Sequence, residues 1–362
     1  MESYKSFVPV FINSNFEWKD KHINMLLEQA SIKVGELNIH ATLAEDRSIL
    51  IHHLLLREAI ASNLMEGIQS NFSSYFSQPP NANDEAYSSW LENYNYMNSV
   101  FWGVNELKRY PLSLRMIKKT HQIQFANQPF HPEWGGKLRM EMPVDPHDDS
   151  FTPPGRNELR RLINDAKRFW NNDDLELPQL VKMAISLFQF ENILPFVSGN
   201  GRTARTLMIL QLISLKYLKY PVLSLSVVMN RNRMEYYHRL NQVRSKNDIE
   251  QWIRFFLNCI IESTEENIQL IKSYQSLKGS IQNIITSEIG LKRHKAASQL
   301  LNTLCRKPII TVAEIAEELE ISFQAANLLV REFEKLNIIQ VNDSAKRNRI
   351  FYFTQLIAIF QF

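Results

Sequence analysis

Residues 194–205 read LPFVSGNGRTAR, and the second half of that dodecapeptide decides the fold. Gly199-Asn200-Gly201-Arg202-Thr203-Ala204-Arg205 is a glycine-rich turn that runs into a helix. Gly199 and Gly201 allow positive φ and a close approach of backbone to an anion. The amides that follow point out of a helix N-terminus, where partial positive charge collects. Arg202 and Arg205 fall three apart, on one helical face, and can grip phosphate oxygens as planar forks. The parts are those of a polyphosphate cradle.

Working outward, 178–190 is an amphipathic helix that delivers the chain to this turn, and 203–217 continues it. Helical periodicity recurs over 22–75, 85–108, 112–125, 157–171, 231–244 and 248–277. The polar stretch 73–84, with Pro79 and Pro80, reads as a loop. Residues 126–154 hold eight prolines and glycines and read as irregular, with room for a short hairpin. From about 285 the texture changes. A short helix over 311–319, a turn at Glu320-Ile321, an N-cap at Ser322 and a helix over 323–335 precede two alternating strands, 338–341 and 349–353, around Asn342-Asp343-Ser344. That order is a winged helix.

Composition narrows the classes. Forty-four per cent hydrophobic and 22% charged residues in 362 are ordinary globular values, and ten glycines suit a mostly helical chain. A net charge of +3 points to neither nucleic acid nor membrane as the main partner. Cys259 and Cys305 sit in apolar runs and read as buried thiols. The start, MESYKSFVPVF, lacks a signal-peptide pattern, and no stretch is apolar enough to span a bilayer, so a cytoplasmic location is expected.

The dodecapeptide resembles the signature of the Fic/Doc family, His-Pro-Phe-x-Asp/Glu-Gly-Asn-Gly-Arg-x-x-Arg. Pro195, Phe196, Gly199, Asn200, Gly201, Arg202 and Arg205 match; Leu194 stands at the histidine position and Ser198 at the acidic one. Segments 56–67 (LREAIASNLMEG), 111–117, 151–154 and 232–237 (NRMEYY) are similar to stretches of long Fic proteins, in the same order. The resemblance implies a mainly α fold: a Fic-type helical bundle with a small β-hairpin flap, plus a C-terminal winged helix. Its divisions would be 1–110, an N-terminal helical region with an inhibitory helix, 111–280, the Fic-like core, and 285–362, the winged helix.

In the family, the histidine takes a proton from a hydroxyl of a target protein, whose oxygen attacks the α-phosphate of ATP. AMP is transferred, and pyrophosphate leaves with Mg²⁺ held by the acidic residue. Here Leu194 cannot exchange a proton, and Ser198 offers a hard dication only a neutral oxygen. Losing general-base assistance costs about 10²–10⁴ in rate. The expectation is an ATP-binding protein with impaired AMP transfer: nucleotide held by Gly199, Asn200, Gly201, Arg202 and Arg205, Tyr237 against the base or simply packed, no dedicated metal site, and Mg²⁺ weakened. Ser62-Asn63-Leu64-Met65-Glu66-Gly67 resembles the inhibitory motif of the family, in which the glutamate pairs with the second signature arginine, here Arg205. Ser62, Glu66 and Gly67 are therefore inhibitory candidates.

Alternatives stay open at this point. One is an active nucleotidyltransferase with an atypical base, such as His147 or Asp148 brought in by the flap segment 144–149. The other is a winged-helix DNA-binding regulator with a vestigial core, using Lys346, Arg347 and Arg349. Against DNA, the helix 323–335 sets Arg331 and Lys335 against Glu332 and Glu334, which suits a protein-contact or homodimerisation module better. His52 and His53 read as structural.

Overall fold

The structure is a computed structural model that describes residues 7–77, 85–128, 132–141, 151–341 and 349–362. Helices dominate. In chain order they are α1 (His22–Leu43), α2 (Arg47–Met65), α3 (Phe72–Phe76), α4 (Glu85–Glu106), α5 (Leu114–Gln124), α6 (Arg156–Trp170), α7 (Gln179–Ile193) and α8 (Asn200–Ser214). Then come α9 (Leu225–Arg231), α10 (Arg233–Lys246), the forty-residue α11 (Ile249–Glu288) and α12 (His294–Arg306). A small domain-like end follows: β1 (Ile309–Thr311), α13 (Val312–Glu318), α14 (Phe323–Lys335), β2 (Gln340–Val341), β3 (Ile350–Tyr352) and α15 (Thr354–Phe360).

At the centre, α7 and α8 lie side by side and are buried nearly all round, the mark of helices enclosed by others. Around them pack α2, α4, α5, α6 and α11. The short link from 194 to 199 is therefore carried on two helices that have little freedom to move. Helix α1 runs along α11, and one cluster of buried apolar side chains extends from Ile12 to Phe360. The strands form one antiparallel sheet in the order β1-β3-β2, with Ile309 opposite Tyr352 and Gln340 opposite Tyr352. With α12 to α14 this is a winged helix, as the sequence predicts. Thr311 and Glu314 close a capping box at the start of α13, and Ser322 caps α14 by accepting from the Ala325 amide.

Several expectations need correction. The stretch 73–84 is not all loop. Asn71 and Ser74 form a capping box, and Phe72 and Phe76 are buried, which together hold the short helix α3. Helix α8 begins at Asn200, not 203, because Gly199 supplies its N-cap. Helix α11 runs past 277, since Ile281 and Ile285 continue its buried stripe. The segment 144–149, with His147 and Asp148, lies outside the described residues, as do the turn 342–344, Lys346 and Arg347. Leu138 bridges Phe196 in an isolated antiparallel pair.

The winged helix is docked on the bundle. His53 of α2 donates from Nε2 to the Cys305 carbonyl (2.7 Å), and its ring lies 4.9 Å from that of Phe360. His52 and His53 thus sit among aromatic rings, in agreement with a structural role. Cys259 and Cys305 are buried free thiols, and burial pushes the Cys305 thiol up to about 11. Among the described residues no helix is long and apolar enough to cross a membrane.

Candidate functional site

The turn from α7 into α8 begins with a backbone oddity. Leu194 closes α7 at φ 38°, ψ 70°, in the left-handed region that a branched aliphatic residue seldom enters. A buried arginine holds it there. Arg139 Nε donates to the Leu194 carbonyl (2.7 Å), and Nη2 donates to the carbonyls of Pro154 (2.6 Å) and Ile193 (3.1 Å). A cation at these carbonyls also meets the negative end of α7. Burial brings the Arg139 pKa down to about 10, which still leaves it charged at neutral pH.

From Phe196 the loop is braced by its own asparagine. The Phe196 amide donates to Asn200 Oδ1 (2.8 Å), and Asn200 Nδ2 donates back to the Phe196 carbonyl (2.9 Å). The carboxamide of Asn200 is thus engaged in shaping the loop. Gly199 sits at φ 69°, and a Cβ there would stand 2.8 Å from the Phe125 ring. Both its dihedral and its closeness require glycine. His121 stacks on Phe196 at 3.8 Å between centroids and on Phe125 at 4.6 Å. The Gly136 amide donates to His121 Nδ1 (2.8 Å), so the ring proton is on Nε2, which donates to the Ser198 carbonyl (2.9 Å). Burial lowers the His121 pKa to about 4, and the imidazole is neutral.

Both signature arginines reach the N-terminal end of α8, and each is held by a carboxylate. Arg205, 2% exposed, donates from Nε to Ser62 Oγ (2.8 Å) and from Nη2 to the Ser62 carbonyl (2.9 Å) and Glu66 Oε1 (2.7 Å). Burial alone would lower its pKa; the charges of Glu66 and Glu191 outweigh that and raise it. Glu66 caps the C-terminus of α2, and Gly67 turns the chain away at φ 84°. The Glu66 carboxylate lies directly over the loop: a Cβ on Gly201 would be 2.5 Å from Glu66 Oε1 and 2.8 Å from Arg205 Nη1. Ser62, Glu66, Gly67 and Arg205 therefore come together as the resemblance implied.

Arg202 has a partner that sequence reading missed. Its Nη1 donates to Glu92 of α4, and its guanidinium lies 5.4 Å over the Phe125 ring. Its Nε is buried without a hydrogen-bond partner. Glu92 belongs to no charged run or motif, so only its place on α4 opposite α8 reveals it. His121, Arg139 and Gln124, whose Nε2 donates to Thr206 Oγ1 (2.9 Å), were equally unmarked. A lone arginine in an otherwise Pro- and Gly-rich stretch was the nearest thing to a signal for Arg139.

The two tyrosines divide. Tyr236 is fully buried and donates to Glu191 Oε1 (2.8 Å). Tyr237 is half-buried, with its ring 5.2 Å from Tyr236 and the Arg233 guanidinium 5.9 Å above it. Burial, then the charges of Glu191 and Glu66, raise its phenol pKa. Ser198 supplies only a hydroxyl, and among the described residues no three His, Cys, Asp or Glu side chains converge in a metal-binding group. The donor set does not fit a hard dication.

Chemically, the site offers two guanidiniums and the first-turn amides of α8, which have no intrahelical partners. That set fits phosphate oxygens. In the described state Glu92 and Glu66 pair with these two guanidiniums.

Comparison with known proteins agrees with this geometry. Residues 111–212 match the family model described as Fic/DOC family, residues 24–105 that of the Fic/DOC family N-terminal region, and residues 295–340 a winged helix-turn-helix DNA-binding model. The protein adenylyltransferase Fic of Drosophila erecta is 29% identical over 164 residues, 45% of this chain and 31% of the fly protein. That of Drosophila yakuba is 29% identical over 211 residues, 58% of this chain and 39% of the relative. The chain thus matches only about a third of the length of these curated relatives. A Fic family protein from Desulfovibrio desulfuricans G20 shares the fold at TM-score 0.60 and 13% identity, over 94% of this chain and 98% of that one. Fic-1 from C. elegans does so at TM-score 0.54 and 16% identity, over 70% and 73%. The two family matches, N-terminal region then signature region, together take in more than half of the residues, and the chain belongs to the Fic/DOC family.

Proposed function

We propose that this chain is a nucleotide-binding Fic protein whose phosphate cradle is regulated by Glu66 and whose AMP transfer is slow or absent. The observation that carries the reading is the Glu66 carboxylate on Arg205, over Gly201, in the space beside the first turn of α8. A carboxylate and a nucleotide phosphate compete there for one guanidinium. The curated relatives are called protein adenylyltransferases, which makes ATP the nucleotide to test first. The chain's own residues would bind the polyphosphate through the α8 amides, Arg202 and Arg205, and would hold the loop in shape through Asn200, His121 and Arg139. At Leu194 nothing can accept the proton of an incoming hydroxyl. At Ser198 no carboxylate can anchor Mg²⁺.

Calorimetric titration with ATP tests the reading. Glu66→Gly should tighten binding at least about tenfold, a gain of about 1.4 kcal/mol. Absence of ATP or ADP binding at millimolar concentration in both wild type and variant would overturn it. On the same variant, Leu194→His with Ser198→Asp should restore AMP transfer to a polypeptide, by about 10²–10⁴ if the base is the chief loss. Spontaneous, rapid labelling by the wild-type protein would instead favour the transferase with an atypical base.

A second reading concerns the winged helix alone. Phe323 and Leu328 of α14 are exposed, at 59% and 47%. Arg349 is folded back, with Nη2 donating to Asn327 Oδ1 (3.4 Å) and its guanidinium 5.2 Å over Phe351. An apolar recognition helix with no net charge supports contact with protein in preference to DNA, despite the DNA-binding description of the matched model. Salt-dependent retention on duplex DNA, lost on replacing Lys346, Arg347 and Arg349, would reverse that preference.

A further inference from the structure

Beside the signature loop lies a cleft of about 740 Å³ between the end of α4, the face of α5 and the turn 135–137. Arg115, Lys118, Lys119 and Lys137 line it, with Trp102 and Tyr110. A single carboxylate, Glu106, lines it too. Among the described residues none of the four cations has a carboxylate partner; Lys119 donates only to Gln122 Oε1 (3.0 Å). Over 101–137 the chain carries six Lys and Arg against Glu106 and Glu133, whereas its whole net charge is +3. The charge is therefore concentrated here. The pattern differs from that of Arg202 and Arg205, each of which is matched by an acid. Four unmatched cations crowd one another at a cost, and an anionic partner removes it.

The floor of this cleft is wired to the signature loop. Gly136, at φ 75°, presses against the Lys118 carbonyl, where a Cβ would come within 2.8 Å. Its amide donates to His121 Nδ1, and His121 Nε2 donates to the Ser198 carbonyl. Three residues on, the Arg139 amide donates to the Pro195 carbonyl (3.0 Å). A chain lying in the cleft therefore rests on the segment that props the loop from 195 to 198.

We infer that this cleft is a docking groove for an acidic segment of a polypeptide partner, held by Arg115, Lys118, Lys119 and Lys137. The partner's Asp and Glu side chains meet the cations, and its apolar side chains meet Trp102 and Tyr110. Arg115, Lys118, Lys119 and Gln122 follow i, i+3, i+4, i+7 spacing, so the charge forms a stripe along one face of α5. The inference rests on the proposal that the loop serves a protein target, and it names the chemistry by which that target is recognised.

The test uses the full chain and a fluorescein-labelled octapeptide of alternating Glu and Ser, read by polarisation. A Lys–Ser octapeptide and a single-stranded oligonucleotide of equal charge serve as comparisons. The Glu–Ser peptide should bind, with affinity falling as salt rises, and the Lys–Ser peptide should not. The variant Arg115→Gln, Lys118→Gln, Lys119→Gln, Lys137→Gln should weaken the Glu–Ser peptide at least about tenfold and flatten the salt dependence. Its thermal melt and its ATP titration should stay as in the parent. No binding of the Glu–Ser peptide, equal binding in the variant, or tighter binding of the oligonucleotide would each overturn the inference. ATP titration of Glu66→Gly keeps the two claims apart. Peptide binding without nucleotide binding would sink the proposed function and leave the groove; the converse would sink the groove alone.

Discussion

Arg205 and Arg202 stand one turn apart on α8, yet the molecule treats them in different ways. Arg205 is 2% exposed and is gripped at three points by residues of α2 and its C-cap, with two of its bonds going to Ser62 and one to Glu66. Arg202 leans on an aromatic ring, pairs with one carboxylate from α4 and leaves its Nε unbonded. The Glu66 pair is part of the architecture; the Glu92 pair is a contact laid on top of it. A buried charge held at several points is costly to break, because the partner left behind is uncompensated. A charge held at one point can exchange that point for another.

The largest effect should separate the two. Arg205→Met removes the guanidinium on which Ser62 and Glu66 converge, and we expect a loss of about 3–5 kcal/mol in urea unfolding. Arg202→Met should cost about 1–2 kcal/mol, since it breaks one ionic hydrogen bond where Arg205→Met breaks three bonds. Equal losses would break the comparison.

Acid should act on the Arg202 side. His121 stacks on the same Phe125 that Arg202 covers, and its pKa falls to about 4 from an ordinary 6.5. Between those values the unfolded chain binds the proton and the folded chain does not, so stability falls as pH is lowered through that window. From pH 6.5 to 5 the histidine accounts for about 2 kcal/mol, at about 1.4 kcal/mol per pH unit. His53, whose pKa drops to about 3 through burial, adds a similar slope elsewhere. Urea midpoints at the two pH values should therefore diverge less in His121→Gln than in wild type. An identical pH response would show that His121 does not titrate on unfolding.

A smaller effect should come from Glu92→Gln. The amide keeps a hydrogen bond to Arg202 but gives up the charge, so phosphate competes more easily. We expect ATP to bind about threefold tighter, with less than about 1 kcal/mol lost in stability. A gain equal to that from Glu66→Gly would mean that both carboxylates act as one lock. The smallest effect concerns Leu194. Asparagine tolerates the left-handed region better than leucine, so Leu194→Asn should recover about 0.5–1 kcal/mol of backbone strain, offset in part by the loss of a buried side chain. A net loss above about 2 kcal/mol would mean that packing at 194 outweighs the dihedral.

The same contrast explains how much could be read in the sequence. The Arg205 side is legible because its parts are local or motif-borne: a glycine turn, two arginines at helical spacing, and a serine and a glutamate four residues apart at a helix end. The winged helix is legible for a related reason, since its caps at Thr311 and Ser322 and its apolar stripe are short-range signals. The Arg202 side is assembled from α4 and α5, with Glu92, His121 and Phe125 each 74 or more residues from their partners in the loop or on α8. Nothing in the local pattern marks them. Helix α3 was missed because a polar composition hid two buried phenylalanines, and α15 because seven residues are too few to show a period; α12 was passed over although Ala297, Leu300, Leu301, Leu304 and Cys305 keep helical spacing.

The left-handed turn at 194 has one more consequence. Its shape is held by the Arg139 guanidinium clasping three carbonyl oxygens, and by the bridge from 138 to 196. Backbone geometry at that corner is therefore insensitive to which residue stands there. A histidine placed at 194 would therefore inherit the same backbone corner, held by the same guanidinium.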